Sequence, residues 1–162
     1  AGAIATIATI LATEKVSIQK MFLRLKEEFK AINKDMTIQF EEKPLQEIYT
    51  DSELLHQVFV AIISNSNKFI KQNPLIELKC TQTENQTTIG ILDNGPGFEE
   101  NVLPHVFERF YRGDSSHNRS AGGSGLGLSI AQAIIKSLNG KIIASNGKNG
   151  GALITITLKN FT

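Results

Sequence analysis

The sequence predicts an α+β fold in which helices and strands pack as layers around one core. Three stretches carry apolar residues at helical spacing, and most other apolar residues alternate with polar ones at the two-residue period of half-buried strands. The strands follow one another in hairpin-like pairs rather than alternating with helices, which fits an α+β layer better than a parallel α/β fold. A length of 162 residues, 41% apolar and 20% charged, supports one domain with a substantial core.

Residues 1–15 are mostly Ala, Ile and Thr, with Ile4, Ile7 and Leu11 at helical spacing. No basic region precedes the apolar part, which argues against a signal peptide. The expectation is a cloning remnant or the end of a helix from a larger parent, without function. Ser17 is placed to cap a helix whose face is Met21, Phe22, Leu25 and Phe29, ended by Asn33-Lys34-Asp35. Met36, Ile38 and Phe40 then alternate as a strand, and a short strand surrounds Ile48. Asp51 caps a second helix with a wide apolar face of Leu54, Leu55, Val58, Phe59, Ile62, Ile63 and Phe69.

Strands at Leu75–Gln82 and Gln86–Leu92 follow, turning at Glu84-Asn85. After Asp93 the chain is loop-like for about thirty residues, apart from an apolar turn at Val102–Phe110; irregular stretches of that length are usually functional. Leu126–Leu138 reads as a third helix, stopped by Asn139-Gly140. Lys141–Ser145 and Leu153–Leu158 form a closing hairpin, with Gly147, Gly150 and Gly151 in its turn.

Seventeen Lys and Arg against sixteen Asp and Glu leave a formal charge of +1, so bulk charge does not suggest a nucleic-acid partner. Cys80 is the only cysteine, which excludes an intramolecular disulfide and any multi-cysteine metal centre. No apolar run approaches the roughly 18 residues a membrane-spanning helix needs.

Four segments carry candidate chemistry. Asn65 and Lys68 share a face near the end of the second helix. They read either as a fraying helix end or as a carboxamide oxygen for a hard cation with an ammonium for phosphate. Asp93-Asn94-Gly95-Pro96-Gly97-Phe98 follows a strand with no strand pattern after it, which disfavours a simple hairpin. A carboxylate there can accept a hydrogen bond from an exocyclic amine, while the glycines admit a flat ring. In Val106–Arg112, Phe107 and Phe110 read best as pins holding the loop to the core. Arg109, Arg112 and Lys68 are candidates for polyphosphate, though on charge alone they fit a solvated face. Gly122-Gly123-Ser124-Gly125-Leu126-Gly127-Leu128 runs into a helix, whose open amides suit an anion. It has no Gly-Lys-Ser/Thr and no preceding strand, so it is neither a P-loop nor a Rossmann turn. The His-Arg-Asp and Asp-Phe-Gly sets of eukaryotic-type protein kinases are also absent.

Taken in order, Asn65…Lys68, Asp93-x-Gly-x-Gly97, Phe107…Phe110 and Gly123-x-Gly-x-Gly127 resemble the N, G1, F and G2 boxes of sensor histidine kinases. Those boxes belong to the catalytic ATP-binding domain, in the superfamily that includes gyrase B. The resemblance spans residues 16–162 and implies a Bergerat-type two-layer α/β sandwich, a mixed sheet covered by helices, with a mobile lid at about 99–122. It implies that Asp93 accepts the adenine amino group, with Gly95 and Gly97 shaping the base pocket. Asn65 would ligate Mg²⁺, and Lys68 and Arg112 would lie near phosphate. Phe107 and Phe110 would flank the nucleotide region, and Gly123, Gly125, Leu126, Gly127 and Leu128 would present the lid and its amides. The cofactors implied are ATP and Mg²⁺.

Two departures from the family pattern stand out. Position 61 is Ala, where these kinases usually carry another Asn and hydrolysing relatives a Glu that activates water. Efficient hydrolysis is therefore disfavoured, whereas transfer to a histidine supplied from elsewhere needs no such base. Second, His56, His105 and His117 all lack the context of the family's acceptor histidine. The resemblance thus implies a protein-histidine kinase fragment, expected to be monomeric. Its partners would be ATP or ADP, a histidine-bearing dimerisation domain of the same parent and, indirectly, a response regulator. It would be the cytoplasmic part of a membrane-anchored sensor. An ATP-hydrolysing relative, a non-catalytic nucleotide-binding module and a serine-directed kinase are the alternatives.

Overall fold

The computed structural model describes residues 14–111 and 125–160. Its elements run β1 (Glu14–Val16), α1 (Ile18–Ile32), β2 (Thr37–Phe40), β3 (Ile48–Thr50), α2 (Ser52–Phe69), β4 (Leu75–Gln82), β5 (Gln86–Asp93), a 3₁₀ turn (Leu103–His105), α3 (Gly127–Ser137), β6 (Lys141–Asn146) and β7 (Ala152–Lys159).

The helices begin and end where local chemistry dictates. Ser17 accepts a hydrogen bond from the Lys20 amide at 3.2 Å, and the Asp51 carboxylate accepts from the Leu54 amide at 3.0 Å, each satisfying an otherwise orphaned donor. Helix α3 stops where Asn139 takes a left-handed conformation (φ 58°) and the Gly140 amide returns to the Ile135 carbonyl at 2.9 Å. Gly140 is needed for space, since a Cβ there would lie 2.7 Å from Leu158 Cδ2 and 2.8 Å from the Thr157 carbonyl.

The main sheet has the order β2-β4-β5-β7-β6, with only β2 and β4 parallel. Two of the expected hairpins, β4–β5 and β6–β7, are present. The strands after α1 do not form a third. β2 instead joins β4 in parallel, with α2 in the crossover that such a pairing requires, and β3 pairs with β1 in a separate two-stranded ribbon. Glu14 and Lys15 therefore belong to a strand rather than to the end of an upstream helix, and a boundary at 15/16 would cut that ribbon.

Alternation along the strands places Ile76, Leu78 and Cys80 of β4, Ile89 and Ile91 of β5, and Ile154, Ile156 and Leu158 of β7 in the buried layer. Phe22 and Leu25 of α1, Phe59, Ile62 and Ile63 of α2, and Ala131 and Ile135 of α3 are buried with them in one core. The other face of the sheet is more exposed, the pattern of a two-layer sandwich. Asp93 continues the buried register of β5, so its carboxylate points between sheet and helices at the strand's end.

Candidate functional site

Asp93 is only 7% exposed, and a carboxylate so placed requires partners. Both partners found among the described residues act on one oxygen. Oδ1 accepts from the amides of Gly95 and Ala152, each at 2.9 Å. The first closes an Asx-turn within the Asp-Asn-Gly-Pro-Gly segment, and the second comes from the start of β7. Among the described residues Oδ2 has no hydrogen-bond partner. Asn94 faces the opposite way, accepting from the Leu75 amide at 2.9 Å and donating to the Asn73 carbonyl at 3.1 Å. The loop is thus stitched to the sheet on one side and to the α2–β4 connection on the other.

Glycines make room for this packing. Gly151 (φ 86°) lies so close to the Asp93 carbonyl that a Cβ would fall 1.9 Å from its oxygen. Gly97 (φ 78°) faces the Asn146 side chain, where a Cβ would lie 2.7 Å from Oδ1. A Cβ on Gly95 would lie 3.1 Å from Ile70 Cγ1, so the residue that ends α2 forms a wall of the same loop.

Helix α2 is approached both by this loop and by the start of α3. The C-terminal half of α2 carries Asn65, half-buried, and Lys68, exposed in the last turn, where a cation also complements the helix dipole. Helix α2 does not fray at its asparagines: it continues to Phe69, and Asn67 accepts from the Asn33 side chain at 3.1 Å. The start of α3 faces α2, with a Cβ on Gly127 3.9 Å from the Ala61 carbonyl, one turn before Asn65. Among the described residues no side chain caps α3, and the Ser129 hydroxyl donates back to the Leu126 carbonyl at 2.7 Å; open amides at a helix start suit an anion.

The remaining candidates are spread more widely. Phe107 is partly buried against the core as expected, but Phe110 is 70% exposed and does not pin the loop with its ring. Its backbone adopts φ 61°, and its amide donates to the Gly125 carbonyl at 3.1 Å, so the contact is made by main chain. Leu128 is buried in the core, while Leu126 and Gly125 are half-buried. Arg109 lines a groove of about 450 Å³ along α3 with Leu126, Ser129, Ile130, Ala133, Ile134 and Ser137, of which Asp93 is not a wall. Arg112, Gly123 and His117 lie outside the described residues, as do positions 112–122 of the expected lid.

Phe69 corrects the sequence reading, being 51% exposed rather than part of the buried face. His56 and His105 have structural partners. His56 Nε2 lies 2.7 Å from Glu28, which also receives Arg24 Nε at 2.8 Å and so ties α1 to α2. Burial pushes the Glu28 carboxyl up, but hydrogen bonds from His56 and Arg24 outweigh it and hold the group below its ordinary value. His105 lies 2.7 Å from Glu108 and stacks on Tyr111. Burial raises the Cys80 thiol to about 11, which leaves it protonated and unreactive at neutral pH.

Sequence reading missed Ile70, Asn146, Gly151 and Ala152. Only the Gly150-Gly151 pair gave a signal, and it read as turn punctuation. The contacts of Asn146 and Ala152 span 48 and 59 residues, beyond any local pattern.

The family model for histidine kinase-, DNA gyrase B-, and HSP90-like ATPases matches residues 50–161. The chain is 35% identical over 111 residues to the signal transduction histidine-protein kinase BaeS of Escherichia coli, covering 68% of this chain and 24% of that protein. It is 37% identical over 121 residues to the sensor protein kinase WalK of Staphylococcus saprophyticus, covering 72% and 20% respectively. The solved structure of a mycobacterial sensor histidine kinase, MprB, shares the fold with a TM-score of 0.77 at 24% identity, covering 91% of this chain and 97% of that one. Full-length ShkA in complex with AMPPNP does so with a TM-score of 0.78 at 21% identity, covering 94% and 32%. The chain spans about a quarter or less of the length of these two curated relatives.

Proposed function

The chain belongs to the family of histidine kinase-, DNA gyrase B- and HSP90-like ATPases, and we propose that it is the catalytic ATP-binding domain of a two-component sensor histidine kinase. In this reading it moves the γ-phosphoryl group of Mg-ATP to a histidine on a dimerisation segment of its parent. The observation that carries the reading is the Asp93 carboxylate. One oxygen is saturated by two backbone amides, and the other is left as an acceptor at the mouth of the buried layer. A base with an exocyclic amine is its natural partner, and adenine supplies one. A guanine carbonyl at the same position would face a second acceptor and be repelled.

Phosphoryl transfer is mainly a problem of positioning and charge neutralisation. Lys68, Arg112 and the uncapped amides of α3 would hold the polyphosphate, with Gly123, Gly125 and Gly127 giving the backbone close access. Asn65 fits Mg²⁺ that arrives with the nucleotide, because that ion keeps most of its waters and needs few protein oxygens. Among the described residues no cluster of three His, Cys, Asp or Glu could hold a metal unaided. When bound, Mg²⁺ neutralises phosphate charge. Position 61, whose backbone carbonyl lies beside Gly127, is Ala and offers no carboxylate to activate water, so hydrolysis is expected to be slow.

No helix among the described residues is long and apolar enough to cross a membrane. We place the domain on the cytoplasmic side of a membrane-anchored sensor, acting on a response regulator through the phosphorylated histidine. To test this, the purified chain would be incubated with γ-labelled ATP, Mg²⁺ and the histidine-bearing segment of its parent. Acid-labile label on that segment is expected, lost on its His→Ala substitution. ATP binding without any transfer would contradict the kinase assignment and favour a regulatory nucleotide-binding module.

A further inference from the structure

We propose that Asn146 is a positioning residue for the base pocket, a role that rests on the adenine-nucleotide reading of the site. Asn146 ends β6 and is paired in register with Ala152. Its carboxamide grips one backbone unit from both sides, with Oδ1 accepting from the Phe98 amide at 2.7 Å and Nδ2 donating to the Phe98 carbonyl at 2.8 Å. The contact reproduces the paired bonding of a β-bridge, although residue 98 lies in no strand. Phe98 itself is partly buried against the core, so the loop has a defined end.

The same hairpin turn holds the loop's beginning. Ala152 donates to Asp93 Oδ1, and Gly151 abuts the Asp93 carbonyl. Residues 146, 151 and 152 therefore clamp both ends of Asp93–Phe98, fixing its span while Gly95 and Gly97 turn between them. Gly97 is constrained by the clamp directly, because the space its Cβ would need is taken by Asn146 Oδ1. Released at Phe98, the loop would be held only at its first two residues, Asp93 and Asn94, and the Asx-turn that orients Oδ2 would lose its far anchor. Asn146 has no need to touch the nucleotide to do this. Its effect passes through the loop to the carboxylate.

The test is ATP titration by calorimetry on the parent chain, Asn146→Ala, Asp93→Asn and the double variant. Lys148→Ala, an exposed residue of the same turn, serves as control. Asn146→Ala should weaken ATP binding about 5- to 30-fold, as expected for two lost hydrogen bonds, and should speed amide exchange at Phe98. In the Asp93→Asn background the same change should cost less than about threefold, because the group it positions is already disabled. Asn146→Asp keeps the shape but sets an oxygen against the Phe98 carbonyl. It should show the same loss, and it carries the test should the alanine variant fail to fold. Unchanged affinity, or equal losses in both Asp93 backgrounds, would overturn the role. A parent chain that does not bind ATP would instead refute the nucleotide reading on which it rests.

Discussion

Asp93→Asn isolates the chemistry of the base pocket. The carboxamide can be placed in only one way, because the oxygen that accepts from Gly95 and Ala152 must remain an acceptor. The new NH₂ group therefore occupies the Oδ2 position and, under the proposed function, would meet the adenine amine donor to donor. A charge-assisted hydrogen bond is lost, which should weaken ATP and ADP binding by about 1.5–3 kcal/mol, or roughly 10- to 150-fold. Stability without nucleotide should change little, since both internal hydrogen bonds survive. The assay is calorimetric titration of each nucleotide into parent and variant, with thermal melting of the free proteins. An unchanged affinity, or a loss matched by collapse of the free protein's melting temperature, would refute the reasoning.

Asn65→Ala should weaken binding of Mg-ATP more than that of metal-free ADP, and equal losses in paired titrations would remove its metal role. Gly151→Ala forces a Cβ toward the Asp93 carbonyl at φ 86°, which should destabilise the fold by about 2–5 kcal/mol. Melting should fall by roughly 5–15 °C, and a parent-like melt would contradict the close approach. The depressed Glu28 carboxyl contributes stability above its ordinary value of 4.5 that is lost as pH falls through its folded value. Melting of Glu28→Gln should therefore trail the parent near neutral pH and converge with it in acid; a constant gap would argue that the pair does not titrate with folding. Cys80 should resist alkylation at pH 8 in the folded chain and react on unfolding, and rapid labelling of folded protein would contradict its burial.

Period and punctuation made the main elements legible from sequence, because their causes are local. The Ser17 and Asp51 caps act over three residues, and the apolar faces of α1 and α2 repeat every three or four. Asp93 and its glycines could be picked out because turn residues followed a strand with no second strand behind them. What stayed hidden depends on long-range pairing. The parallel register of β2 with β4 and the β1–β3 ribbon leave no local mark. Neither does the grip of Asn146 on Phe98. Phe69 carries the same apolar character as Phe59, yet lies in the last turn of α2 and stays exposed. Phe110 reads as an anchor by type, but its left-handed backbone makes main chain the point of contact.

The central proposal is that this chain binds ATP through Asp93 and hydrolyses it slowly. Titrating ATP into the purified chain with and without Mg²⁺, and then assaying the same sample for released phosphate, tests both halves together. The account predicts saturable binding, tightened by Mg²⁺, with no steady turnover. Absence of binding, or steady phosphate release by a chain with Ala61 in place of a base, would contradict it.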